Sequence, residues 1–179
     1  MSALHVGARH ARTLVVLVTF VVGIAVPAGA GAAGSPAVYA NLTGSERAFA
    51  KVFKTEMTKF AQSVDAASAP LAKLSGKSTV AQIVAAVTHT SNVWNTAMKP
   101  ILALKFPTQQ PFPLVSGLLT KYLHLSSNDL LAMAQSARTH NEKAYTTAGQ
   151  NAQTDLTEVS DASEALAKEL GISLPALAL

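Results

Sequence analysis

Histidine, tyrosine and methionine are the side chains here that could bind haem or a transition metal, because the chain has no cysteine. The histidines beyond the N-terminal region are His89, His124 and His140. Each falls on the polar side of its predicted helix, away from the apolar face where a buried site would need it. The sequence also has no Glu-X-X-His pair and therefore predicts no metal site and no cofactor. A haem clamp made by tyrosine and histidine at the surface is the one form of haem binding that stays open.

The sequence contains none of the short motifs that carry catalysis. There is no Gly-X-Ser-X-Gly nucleophile elbow, no glycine-rich phosphate loop and no inward-facing pair of carboxylates in the predicted helices. The lack of cysteine also excludes thiol nucleophiles, disulfide bonds and thiolate zinc sites. The prediction is a protein without catalytic activity.

Four larger side chains point toward the predicted core and are candidates for binding a small apolar ligand: Trp94, Met98, Tyr122 and Tyr145. Many small alanine and serine residues accompany them. Small residues along a helical seam either let the helices pack closely or leave a groove for a lipid or an aromatic molecule. Asn141 shares the core phase, where its amide would need a hydrogen-bond partner.

Helices must position these side chains. The 179 residues are 49% hydrophobic and 13% charged, with a mean hydropathy of +0.28, which is too apolar for a disordered chain. The chain is rich in alanine and poor in aromatic residues, which favours helix over sheet. Apolar residues recur at intervals of three and four and nowhere alternate. The sequence therefore predicts an all-α, up-and-down bundle of three to four helices with a long C-terminal helix.

The first two helices have clear predicted starts. Two residue pairs have the capping-box spacing, a hydroxyl residue followed three positions later by Glu or Gln: Thr43 with Glu46, and Thr79 with Gln82. Pro70 should end or kink the first helix, and Pro100 should kink the second before its predicted end near Lys105. The proline-rich residues 106–113 predict a connector outside any helix.

The C-terminal half predicts a short helix and then a long one. The apolar stripe of the short helix is expected to comprise Leu114, Val115, Leu118, Leu119, Tyr122 and Leu123. Residues 126–128 break this phase and predict a new N-cap. One apolar phase then continues to Leu170, which favours a single helix of about 40 residues over two helices that meet near Gly149. Gly171 has the position of a C′ residue.

The start of the chain has the three-part plan of a secretory signal peptide. Arg9 and Arg12 precede an uncharged run at residues 13–26, and a tract of alanine and glycine follows. Small residues favour cleavage after Ala30 or Ala32. The alternative is an uncleaved anchor, although a spanning helix needs about 20 apolar residues.

The predicted organisation therefore has four parts. They are a signal peptide at residues 1–32, a disordered linker at 33–42, a helical bundle domain at 43–172 and a tail at 173–179. The mature protein is expected to be secreted or held in the cell envelope, with no stable membrane span after cleavage.

Charge is distributed unevenly along the chain. The formal net charge of +4 is too small for a nucleic-acid-binding protein. Residues 46–121 carry nine basic and three acidic residues, and residues 129–179 carry three basic and seven acidic ones. Arg47, Lys51 and Lys54 cluster opposite the apolar stripe of the first helix. They predict either a solvated face or a surface for an anionic partner, such as a lipid headgroup or a wall polymer.

In three features the chain resembles small exported helical proteins of high-GC Gram-positive bacteria. These are a plain signal peptide, a cysteine-free body rich in alanine and threonine, and a helix that runs through Trp94 into LALKFP before a proline-rich crossover. The expected function is a non-catalytic interaction or binding module whose partner is an envelope protein or an anionic surface. The second hypothesis is a small-ligand carrier for haem or a lipid in the envelope, and a homo-oligomer is compatible with both.

Overall fold

A computed structural model describes residues 34–75, 77–109 and 111–175. Its helices are α1 (Pro36–Asn41), α2 (Gly44–Ala72), α3 (Val80–Ala97), α4 (Lys99–Leu102), α5 (Phe112–Arg138) and α6 (Glu142–Glu169). These ranges contain no strand, so the predicted all-α bundle with a long C-terminal helix is confirmed. Within the same ranges, no helix has the length and apolar character needed to cross a bilayer. The predicted signal peptide lies outside the described residues.

Each long helix packs against its neighbour in sequence. Helix α5 contacts α6 and also α3, and α3 in turn contacts α2. The largest side chains of the shared core are almost fully excluded from solvent: Phe53, Met57, Phe60, Ile83, Trp94, Leu119, Leu123, Met133, Tyr145 and Leu166. Removing such apolar surface from water stabilises the fold by about 25 cal/mol per Å².

Both predicted capping boxes are confirmed. At the start of α2 the Thr43 N–H donates to Glu46 Oε2 at 2.7 Å, and the Glu46 N–H donates to Thr43 Oγ1 at 3.3 Å. The hydrogen bonds from Thr43 also lower the pKa of the Glu46 carboxyl. The Thr79 N–H donates to Gln82 Oε1 at 2.8 Å at the start of α3. These bonds satisfy N–H groups that have no partner inside the helix.

Prolines mark the helix boundaries in part as predicted. Helix α2 contains Pro70 and ends two residues later. Met98 interrupts the helix between α3 and α4, two residues before Pro100. Helix α5 already begins at Phe112, with Pro113 in its first turn. The last two residues of the predicted connector, 106–113, therefore belong to a helix. A proline in the first turn of a helix removes no intrahelical hydrogen bond.

The predicted helix break at residues 126–128 is wrong, because α5 runs through it without interruption. Ser126 Oγ donates back to the carbonyl oxygen of Tyr122 at 2.8 Å. Ser127 Oγ hydrogen-bonds Asn95 Oδ1 of α3 at 2.5 Å. Both serines are therefore buried, hydrogen-bonded residues at the contact between α5 and α3, where small side chains fit.

The single helix of about 40 residues is also wrong, because the chain reverses direction at His140. The N–H of Asn141 bonds to Ser136 O at 2.9 Å and the N–H of His140 to Ala137 O at 3.3 Å, which is a Schellman motif. His140 takes the left-handed conformation with φ of 55°. Asn141 is then the N-cap of α6 and accepts from the N–H of Ala144 at 3.0 Å. Two helices therefore meet here and not at Gly149.

The segment predicted as a disordered linker, residues 33–42, contains helix α1 in its described part. The Gly34 N–H donates to Ser173 Oγ at 2.9 Å, which joins this segment to the residues after α6. Gly171 ends α6 as the predicted C′ residue, with φ of 61°. Residues 173–175 of the predicted tail are described, and its last four residues lie outside the description.

Candidate functional site

Trp94 lies where α3 meets α5 and is 1% exposed. Its indole Nε1 donates to the carbonyl oxygen of Leu123 at 3.3 Å. Its ring meets the Phe60 ring of α2 edge-on, with the centroids 4.8 Å apart. The N–H is therefore satisfied by the protein, and the aromatic contact is one that packed cores favour.

The other three candidate ligand-binding residues differ in burial. Met98 and Tyr145 are buried, whereas Tyr122 is half-buried. The ammonium of Lys121 lies 4.8 Å from the centroid of the Tyr122 ring, a cation–π distance. Burial raises the pKa of the Tyr145 hydroxyl to about 12.

Tyr145 lies apart from Trp94 along the bundle. Because the chain reverses at His140, antiparallel packing sets Tyr145 level with about residue 135 of α5. Trp94 instead bonds to Leu123, about three helical turns away. None of the four candidate residues lines either of the two surface depressions described below.

The three histidines are exposed, as helical phase predicts: His89, His124 and His140. No group of three histidine, aspartate or glutamate residues is arranged to hold a metal ion in the part of the chain that the structure describes. Asn141, predicted on the core face, is instead an exposed capping residue.

Asp129 of α5 and Asp155 of α6 form a half-buried carboxyl pair beside a surface groove, which is not the inward-facing pair that the sequence excludes. Burial and the neighbouring Asp155 carboxyl raise the pKa of Asp129 to about 6, and a hydrogen bond from Asn151 opposes this shift. Asp129 and Asn151 border an open groove of about 420 Å³ between the two helices, together with Lys143. The pair lets Asp129 keep its proton at a higher pH than an ordinary aspartate does. Its two members come from different helices, so no local spacing in the sequence signals it.

One face of α5 carries exposed leucines, which we call the α5 leucine face. Leu114, Leu118 and Leu125 are 66%, 42% and 37% exposed, and the helical repeat places them within about 40° of one another. The sequence predicted Leu114 and Leu118 in the core, which is wrong. The first half of α5 is apolar on several sides, and its neighbours cover the side that holds Leu119 and Leu123.

The three basic residues predicted on the outer face of α2 are exposed: Arg47, Lys51 and Lys54. The ion pair found within the described ranges joins Lys59 Nζ and Glu56 Oε1 at 2.8 Å. Lys51 and Lys54 border a second depression, of about 390 Å³, beside α1.

No known protein family, curated protein or solved structure matches this chain. Its function is therefore inferred from its own residues and their geometry.

Proposed function

We propose that this protein is an exported, non-catalytic helical module that binds a protein partner in the cell envelope through the α5 leucine face. The observation that carries the proposal is the exposure of Leu114, Leu118 and Leu125 on one side of a helix whose other side is buried. Export is the expectation from the signal-peptide plan of residues 1–32.

The arrangement of these leucines is what favours an interface. Single exposed apolar residues are normal on a protein surface, whereas neighbouring ones that form a patch mark interaction sites. Lys121 lies between Leu118 and Leu125 on this face and is also exposed. An apolar patch with a charge beside it is typical of a transient protein interface.

The packing around Trp94 favours this module over the alternative, a carrier of haem or a lipid. A carrier needs a cavity near its ligand-binding side chains, and Trp94 is instead closed in by Phe60 and by the Leu123 carbonyl. Native mass spectrometry of the protein purified from its own host separates the two hypotheses. The module should have the mass of the polypeptide. An added mass of haem, or of a lipid that is retained when Lys51 and Lys54 are replaced by alanine, would contradict the proposal.

A pair of leucine variants tests the interface. Leu114→Ser/Leu118→Ser should weaken binding to the envelope by about tenfold or more, because two apolar anchors are lost. Leu131→Ser is the matched control, since Leu131 is 48% exposed on the same helix but faces about 100° away. Cell fractionation and site-specific photo-crosslinking at residue 118 provide the measurement.

The proposal fails if the double variant and the control distribute alike between envelope and medium. It also fails if size-exclusion chromatography of the purified protein shows that the leucine pair holds two copies of this chain together. Folding is not expected to interfere, because substitutions of exposed residues usually change stability by about 0.5 kcal/mol or less.

A further inference from the structure

A pocket of about 390 Å³, which we call the basic pocket, lies where α1, α2 and the segment after α6 meet. Its lining includes Tyr39 from α1, Lys51 and Lys54 from α2, and Ile172 and Ser173 from the C-terminal segment. Tyr39 and Ile172 also pack against the hydrophobic core. The pocket therefore combines an apolar wall with two ammonium groups.

Close backbone contacts fix the shape of the basic pocket. The Gly34 N–H donates to Ser173 Oγ at 2.9 Å. A Cβ atom on Gly171 would lie 2.5 Å from Tyr39 N and 2.6 Å from Ser35 O, so the two segments are closer than any side chain would allow. Walls joined in this way give a pocket that is formed before a ligand arrives, as in most small-molecule sites.

The two lysines of the basic pocket make no ion pair within the described residues. Both Lys51 and Lys54 are exposed. The nearby acids of α2 have other partners, because Glu46 belongs to the capping box and Glu56 pairs with Lys59. Side chains three positions apart are neighbours on a helix, so the two ammonium groups repel each other unless an anion lies between them.

We propose that the basic pocket binds the phosphate group of an anionic phospholipid headgroup. Lys51 and Lys54 would donate hydrogen bonds to the phosphate oxygens, a frequent role of lysine. Val38 of α1 is 37% exposed, which gives this short helix an apolar residue for the lipid interface. Arg47, one turn before Lys51, extends the basic row. The inference rests on the envelope location in the proposed function.

A vesicle-binding measurement tests this site, with protein expressed from the full-length sequence so that any natural processing is retained. The lipid probe is phosphatidylcholine vesicles with and without phosphatidylglycerol, and the soluble probe is glycerol phosphate. Lys51→Ala/Lys54→Ala removes the lysines of the pocket. Lys73→Ala/Lys77→Ala is the matched control, because it removes the same charge from exposed positions after α2.

Wild-type protein should bind vesicles that contain phosphatidylglycerol and not those of phosphatidylcholine alone. Binding should weaken about tenfold or more in the pocket variant and by less than about threefold in the control, since each basic residue near an anionic surface contributes several-fold. Equal losses in the two variants would overturn the proposal, because total charge would then explain the attraction.

The absence of vesicle binding would also overturn it, and glycerol phosphate binding in that case would assign the pocket to a soluble phosphate ester. Vesicle binding does not depend on export. A chain that stays inside the cell would therefore contradict the proposed function and leave the pocket chemistry intact.

Discussion

Ser91 carries a fully buried side-chain oxygen with no hydrogen-bond partner in the described part of the chain. A buried hydroxyl that loses water without gaining a partner costs about 1–3 kcal/mol. Ser91→Ala should therefore raise the free energy of unfolding by about 1 kcal/mol, seen as a higher urea midpoint with an unchanged m value. Ser126→Ala is the matched control, because that equally buried hydroxyl donates to Tyr122 O. A midpoint below that of the wild type for Ser91→Ala would contradict the prediction.

The burial of single residues follows from helical phase where a helix has one apolar face. On α2 the apolar stripe that recurs at intervals of three and four comprises Phe49, Val52, Phe53, Met57, Phe60 and Val64. Phe53, Met57 and Phe60 are buried, as this phase predicts. It fails for Val52, which is 48% exposed because it lies about 100° from Phe53 and no neighbouring helix covers it. Sequence periodicity therefore locates the centre of a buried face more reliably than its edges.

At the scale of whole helices, the starts of α2 and α3 could be predicted because a capping box is made by residues three positions apart. The break at residues 126–128 and the turn at His140 could not. Whether a serine is tolerated inside a helix depends on the neighbouring helix that it packs against. His140 takes the left-handed conformation, in which glycine is the usual residue. The α5 leucine face could not be predicted either, because the neighbouring helices decide which side of an apolar helix is covered.

The contact between α5 and α6 should weaken as pH rises through the titration of Asp129. The pKa of about 6 in the folded protein lies above the value of 3.8 for an aspartate in water, so folding favours the protonated carboxyl. This stabilisation is full below about pH 4 and is lost as pH rises to about 6. Asp129→Asn keeps a neutral, hydrogen-bonding side chain and should melt at a higher temperature than wild type at pH 7 but at a similar temperature at pH 4.

Thermal melts across this pH range provide the measurement, with Asp161→Asn on the exposed face of α6 as the control. The difference between Asp129→Asn and wild type should grow with pH, and the control should show no such trend. A difference that stays constant with pH would contradict the raised pKa of the Asp129 carboxyl.

At the scale of the whole molecule, the two ends of the described chain hold each other in place. Helix α1 has no buried residue of its own, and six residues are too few for a stable isolated helix. It is held by the Gly34–Ser173 hydrogen bond and by the close approach of Gly171 to Tyr39. The sequence signalled Gly171 as a helix end, but it could not show which segment would pack against it.

Gly171→Ala tests this contact between α1 and the segment after α6, because φ at this position is +61° and an added Cβ would overlap Tyr39 N and Ser35 O. The left-handed conformation alone costs about 1 kcal/mol for alanine, and the overlap adds to it by displacing α1. Hydrogen exchange at the Tyr39 amide should accelerate about tenfold or more, whereas amides in the middle of α5 should stay protected. Gly117→Ala is the matched control, since its added Cβ meets open space and should stabilise α5 by about 0.5–1 kcal/mol.

Gly171→Ala also tests whether vesicle binding needs the shape of the basic pocket or only its charge. Gly171→Ala leaves Lys51 and Lys54 in place and moves the wall formed by α1, so binding to phosphatidylglycerol vesicles should weaken although the net charge is unchanged. Faster exchange at Tyr39 with undiminished vesicle binding would show that the lysines attract the membrane without a formed pocket. Unchanged exchange at Tyr39 would mean that the contact with Gly171 does not hold α1 in place.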